Sequence, residues 1–219
     1  MVQLIIFDCD GTLVDSEYLY NSITSELLIG LGFEDYTPER CIELFAGQAW
    51  STIKADLEAL HGDIIPHDIV RRYIETCNQR MDTDLRVPDG AEALLDSVSQ
   101  HYSLCVASNG ERGNVIKSLS MTGLIRYFDE RRIYTKIEVS HPKPAPDLFL
   151  HAAEKMGFAP SKCVVIEDSP AGVEAAVAAN MRVVGFTGCA HDQDAQTDLL
   201  TKAGAKDVIS HLSDFIDFL

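Results

Sequence analysis

The stretch LIIFDCDGTLVDSE, Leu4 to Glu17, runs apolar and then places Asp8, Asp10 and Asp15 within eight residues. Burying an unpaired carboxylate is costly, so Asp8 and Asp10, at the exit of an apolar segment, are expected to meet a cation or a reacting group. Three further polar clusters follow along the chain: Ser108-Asn109-Gly110 after LCVA, Lys143 within HPKPAPD, and Glu167-Asp168 within VVIEDSPAG. Together they offer carboxylates for a divalent cation, one ammonium, and one hydroxyl beside main-chain donors. Each cluster alone is weak, since a DxD is common by chance, SNG is usually a turn and a lone lysine is usually solvated. A calcium loop is a poor reading of Asp8–Gly11, because the glycine comes fourth and no later glutamate completes the EF-hand spacing.

The elements that must position these groups are legible from pattern. QLIIFD is continuous, partly β-branched and ends at a polar turn, as a buried strand does. From Ser16 the period becomes helical, with Leu19, Ile23, Leu27 and Leu31 at four-residue steps and Thr37-Pro38 opening another helix. About four helices, with no convincing strand, are expected before Asp84. Beyond it PDGAEALLDSVSQ has Asp89 and Glu92 spaced as a capping box. Strand-like and helical segments then alternate through YSLCVAS, CVVIED, RVVGF and DVIS. That alternation predicts a Rossmann-like α/β fold, a parallel sheet covered by helices on both faces. The expected division is a core of residues 1–14 and 85–219 carrying an inserted α-helical cap of residues 15–84. The four polar clusters fall at strand ends or adjacent loops, where open parallel sheets bind ligands, and an insert rooted there is expected to act as a lid.

Composition narrows the partners. The chain has 219 residues, 46% of them hydrophobic, and 18 Lys plus Arg against 34 Asp plus Glu give a net charge of −16. That balance disfavours nucleic acid and anionic lipid surfaces, and an anionic small molecule needs local positive charge. The six cysteines contain no Cys-x-x-Cys pair and are expected to be reduced, and the seven histidines match no zinc spacing. With no leader pattern and no apolar run of membrane length, a cytoplasmic location is expected.

These motifs resemble the haloacid dehalogenase superfamily, in its phosphatase branch with a helical cap after the first motif: DCDGT, Ser108, Lys143 and EDSPAG match its four motifs in order. The resemblance implies a phosphohydrolase with Asp8 as nucleophile and Asp10 as general acid/base. A carboxylate attacking a phosphate monoester brings like charges together, so compensation by Mg²⁺ and a cation is required. Asp8, Glu167, Asp168 and the Asp10 carbonyl are the expected Mg²⁺ ligands, Lys143 the ammonium, and Ser108 with the Asn109 amide the donors to the phosphoryl oxygens.

The substrate is expected to be a small phosphate monoester, a sugar or sugar-acid phosphate such as 6-phosphogluconate. Cap contacts are expected from FAGQAW, through Gly47 and Gln48, and from Tyr20, although Tyr18, Tyr20 and Trp50 are more often packing residues. The nearest alternative is a sugar phosphomutase, which shares all four motifs but carries a histidine where this chain has Tyr20. A phospho-accepting receiver would leave the helical insert without a role. A hydrolytic dehalogenase would not need Asp10 or the Glu167-Asp168 pair.

Overall fold

The computed structural model describes residues 1–45, 48, 50–62 and 65–219, so the expected contact through Gly47 lies outside the described residues. Six strands form one parallel sheet: β1 (Leu4–Phe7), β2 (Ser103–Ser108), β3 (Ile133–Thr135), β4 (Cys163–Glu167), β5 (Arg182–Phe186) and β6 (Asp207–Ile209), in the order β3-β2-β1-β4-β5-β6. Between β2 and β6 the connections carry α6 (Arg112–Met121), α7 (Asp147–Met156), α8 (Pro170–Ala178) and α9 (Gln193–Ala203), and α5 (Ala91–Val98) precedes β2. The α/β alternation of the sequence is therefore the architecture of the chain.

Both faces of the sheet are covered, which is why β1 can be apolar at every position. Leu4 and Ile6 join Leu148, Phe149 and Ala152 of α7 and Val173 and Ala176 of α8 in one buried cluster. On the other face Phe7 meets Phe128 edge-on, with ring centroids 5.9 Å apart. The helix before β2 differs from expectation. Gly90 is its N-cap and no side chain caps it, so Asp89 lies one position too early to bond into the first turn. Glu92 instead reaches Arg126, at 3.2 Å.

The chain divides into two compact units, residues 1–15 with 86–219, and residues 16–85. The second consists of α1 (Ser16–Ile29), α2 (Pro38–Phe45), α3 (Trp50–His61) and α4 (Ile69–Asp84). It has apolar clusters of its own. Leu28, Cys41, Phe45, Trp50, Ile53 and Leu57 form one, and Leu19, Ile23, Cys77 and Met81 another. The Trp50 indole N–H donates to Thr24 Oγ1 at 3.1 Å, which satisfies a buried donor. Where the first unit is interrupted, the Asp15 amide donates to the Arg86 carbonyl at 2.9 Å. No helix among the described residues is long and apolar enough to cross a membrane.

Phe149 is fully buried between α7 and the sheet. Phe149→Ala is expected to lower unfolding free energy by about 3–5 kcal/mol, read by urea denaturation. A loss below about 1 kcal/mol would show that this layer of the core is not closely packed.

Candidate active site

The expected core residues meet at the carboxyl ends of β1, β2 and β4. Asp8 follows β1 directly, Ser108 ends β2, and Glu167 ends β4. Lys143 arrives from the loop between β3 and α7. Asp8, Asp10, Ser108, Asn109, Lys143 and Asp168 all line one cavity of about 150 Å³.

At its floor the Lys143 ammonium donates to Asp8 Oδ1 at 2.6 Å, to Glu167 Oε1 at 2.6 Å and to the Ala107 carbonyl at 2.7 Å. The Lys143 side chain is only 3% exposed and its ammonium sits 4.7 Å from the centre of the Phe149 ring. Burial pulls an ammonium towards neutrality, but Asp8 and Glu167 outweigh it and hold Lys143 above the ordinary lysine value.

The main chain of Lys143 is held as firmly as its tip. Asn109 accepts the Lys143 amide at Oδ1 and donates from Nδ2 to the Lys143 carbonyl, both at 3.1 Å. The Asn109 side chain is thus committed to the lysine loop, and only its main-chain amide remains for the role expected of it. Ser108, buried, accepts the Gly110 amide at 2.9 Å, which leaves its hydroxyl proton to donate elsewhere. Asp10 is exposed and its carboxylate flanks Gly110.

Glu167 is fully buried, and its second oxygen accepts the Ser169 amide and hydroxyl, both at 2.9 Å. Ser169 in turn caps α8 through the Gly172 amide. A Cβ at Gly172 would lie 1.7 Å from Glu167 Oε1, so only glycine admits the carboxylate there. Asp168 Oδ1 accepts the Thr12 hydroxyl at 2.9 Å, and the Asp168 carbonyl accepts Gln196 Nε2 at 2.5 Å. Gly11 has a φ of +80°, and a Cβ on it would stand 2.1 Å from Asp168 Oδ2. Thr12 and Gln196 are residues that sequence reasoning missed. Thr12 was in view as the T of DCDGT, whereas nothing in the local pattern of α9 marks Gln196.

Carboxylate oxygens of Asp8, Glu167 and Asp168 come within 4.8 Å of one another. Two buried carboxylates and the half-buried Asp168 against one ammonium leave an excess of two negative charges. The imbalance is visible in their acidities. Burial pushes Asp8 up to about 8 against the pull of Lys143, with Glu167 and Asp10 adding to the rise. Burial, then Glu167 and Asp8, lift Asp168 well above the carboxylate range. Hard oxygen donors and a deficit of two positive charges fit a divalent cation of the Mg²⁺ or Ca²⁺ type. Asp10 is expected to enter such a set only by its carbonyl and is not among these side-chain donors.

The expected cap residues belong to the helical unit. Tyr20 packs beside the cluster of Leu19, Ile23, Cys77 and Met81, and Gln48, exposed, donates to the Leu44 carbonyl at 2.9 Å.

A profile of haloacid dehalogenase-like hydrolases matches residues 5–186. Fructose-1-phosphate phosphatase YqaB of Escherichia coli is 33% identical over 82% of this chain and 94% of its own length. The 6-phosphogluconate phosphatase of Escherichia coli is 28% identical over 88% of this chain and 86% of its own. Among solved structures, a conserved haloacid dehalogenase-like protein from Agrobacterium tumefaciens superposes with a TM-score of 0.84 at 35% identity, covering 100% of this chain and 97% of that one.

The raised carboxyls give the site a pH-dependent response to metal alone. Asp8, pushed up to about 8 by burial in the folded chain, holds a proton that an exposed carboxyl of pKa about 4 has already released. The metal-free protein therefore loses that stability as pH rises from about 4 to 8. A dication replaces the proton, so the rise in Tm on adding Mg²⁺ is expected to be larger at pH 8 than at pH 5, read by differential scanning fluorimetry without substrate. Equal increments at the two pH values would contradict the buried carboxylate cluster as the metal's location.

Proposed function

We propose that this chain, which belongs to the haloacid dehalogenase-like hydrolase family, hydrolyses phosphate monoesters of small sugars or sugar acids through an aspartyl-phosphate on Asp8, with Mg²⁺ as its metal. It is a phosphatase of that family, as relatives along nearly their whole length are. The observation that carries the assignment of roles is the buried ammonium of Lys143, 2.6 Å from both Asp8 and Glu167. A carboxylate beside that ammonium can approach an anionic phosphoryl group with part of the repulsion already offset.

Asp8 attacks phosphorus with one carboxylate oxygen, and the bond to the sugar oxygen breaks as the new bond forms. Asp10, in the cavity wall and open to solvent, gives its proton to the departing alkoxide. It then removes a proton from the water that attacks the acyl phosphate, releasing inorganic phosphate and restoring Asp8. The Ser108 hydroxyl and the Asn109 amide donate to the phosphoryl oxygens, while the Asn109 side chain keeps the Lys143 loop in place. Asp8 and Asp168 would hold Mg²⁺, with the Asp10 carbonyl beside them, and the ion would supply positive charge opposite the phosphoryl oxygens. Glu167, both of whose oxygens are hydrogen-bonded, orients Lys143 and anchors the start of α8.

The sugar or sugar-acid class is supported by the relatives named for fructose 1-phosphate and 6-phosphogluconate. Gln48 and Tyr20 of the helical unit are the residues we assign to recognition of the substrate beyond its phosphoryl group. Tyr20 also bears on product. A phenol with an unperturbed pKa of about 10 is a poor proton relay near neutrality, which favours transfer of the phosphoryl group to water rather than back to a sugar hydroxyl.

Asp8→Asn is expected to lower kcat by about 10³-fold or more with thermal unfolding little changed, because an amide is nearly isosteric but a poor nucleophile. A variant that retains a tenth of wild-type turnover, with deamidation excluded by mass spectrometry, would remove Asp8 from its role.

A panel of sugar phosphates and sugar-acid phosphates, assayed with Mg²⁺ for released phosphate and for sugar isomers, tests the substrate class. Phosphate release is expected on fructose 1-phosphate or 6-phosphogluconate and is expected to be lost in excess chelator. Isomer interconversion that outruns phosphate release would instead make this chain a mutase.

A further inference from the structure

We propose that the catalytic unit carries a second anion site, at the amino-terminal edge of β2 and β3, which binds a small organic phosphate monoester. A cavity of about 390 Å³ opens there beneath the end of α7, lined by Ser103 at the start of β2 and Tyr134 in β3. Ser108, at the opposite end of β2, belongs to the catalytic cavity. A strand of that length sets the two cavities roughly 15–20 Å apart.

Tyr134 is the first reason to read a ligand into this cavity. The residue is only 5% exposed, its ring packs edge-on against His151 at 5.6 Å, and it lines the cavity. Its ring is buried, and its phenol is a donor that can meet a ligand where the residue lines the cavity.

Charge is the second. Arg131 and Asp129 sit at the rim, and they satisfy each other: Nε reaches Oδ1 at 3.0 Å and Nη2 reaches Oδ2 at 2.5 Å. Hydrogen bonding to Arg131 holds the Asp129 carboxyl well below the usual carboxylate range. Arg132 and Lys155 also line the cavity, and among the described residues neither makes an ion pair. The rim is therefore positive by two charges on a chain whose net charge is −16. Lys155 alone would be explained by its place in the last turn of α7, where a cation complements the helix dipole. Arg132 ends the short 3-10 turn Glu130–Arg132 before β3 and adds to the same positive rim.

The remaining wall selects the ligand. Met156 and Phe158 are partly buried and present apolar surface beside the two cations. A guanidinium, an ammonium and a phenol suit a phosphate dianion, and the apolar wall suits the carbon skeleton attached to it. Inorganic phosphate would use only the polar half.

The test is equilibrium dialysis of full-length Asp8→Asn protein, which cannot turn substrate over, with glucose 6-phosphate, and with inorganic phosphate as a second arm. Two glucose 6-phosphates per chain are expected, and one after Arg132→Ala and Lys155→Ala are added. Tyr134→Phe, which removes a single hydroxyl, is expected to weaken the second event by about 10-fold. With Asp8 intact, neither change is expected to alter kcat/KM at low substrate. A single ligand that the double substitution abolishes also supports the proposal, because it assigns the binding to this cavity and leaves the Asp8 site as the one in doubt. No bound glucose 6-phosphate, or a ligand number of one or two that the double substitution leaves unchanged, would overturn it. Inorganic phosphate bound in the second cavity as tightly as glucose 6-phosphate would overturn the organic ester as the ligand.

Discussion

Everything at the carboxyl edge of this sheet depends on one ammonium group. Lys143 is the positive charge set among Asp8, Glu167 and Asp168, and its three hydrogen bonds run to three different segments: the end of β1, the end of β2 and the end of β4. The strand order makes that meeting possible. With β1 flanked by β2 on one side and β4 on the other, the chain leaves the centre of the sheet in both directions, and the crevice so formed is where side chains from distant segments converge. A buried ion pair of this kind is poor evidence for stability, since desolvation offsets much of its attraction. What its arrangement provides is an ammonium at the cavity floor that offsets part of the repulsion between Asp8 and any anion entering there. The surrounding structure keeps the lysine and its partners still, from the two hydrogen bonds between Asn109 and the Lys143 main chain to the seat that Gly172 leaves for Glu167.

Much of this was legible in the residues alone, for identifiable reasons. A strand buried on both faces is written as an unbroken apolar run, and LIIF, LCVA and CVVI read that way. Their ends are marked because polar residues stop the run, and those ends carry Asp8, Ser108 and Glu167. Side-chain reach was not legible. Asn109 reads as part of a turn, yet its amide group spans to a main chain 34 positions away. Gln196 lies on a helix whose pattern concerns burial, and its bond to Asp168 is a tertiary event. The start of α5 failed for a smaller reason. Asp89 and Glu92 have capping-box spacing, but the helix begins one residue later than that spacing requires, after Gly90.

The two cavities of the catalytic unit show how charge can be organised locally against a strong global bias. Around Asp8 the excess is negative and suits a cation; beneath α7 it is positive and suits an anion. Both depend on pairs that are already satisfied. Glu167 is bonded through both oxygens, and Asp129 is taken up by Arg131, so the unsatisfied charge in each place is carried by different groups from those that hold the geometry.

The main-chain bond from Asp15 to Arg86 has a consequence for how such a protein changes over time. The helical segment departs and rejoins at adjacent points, so the sheet experiences it as a closed loop, and the entropy of closing a loop grows only slowly with its length. Lengthening, shortening or wholesale replacement of Ser16–Leu85 therefore leaves the register of β1 against β2 and β4 untouched. Descent can rewrite that segment at little cost to the side chains that meet at the carboxyl edge of the sheet.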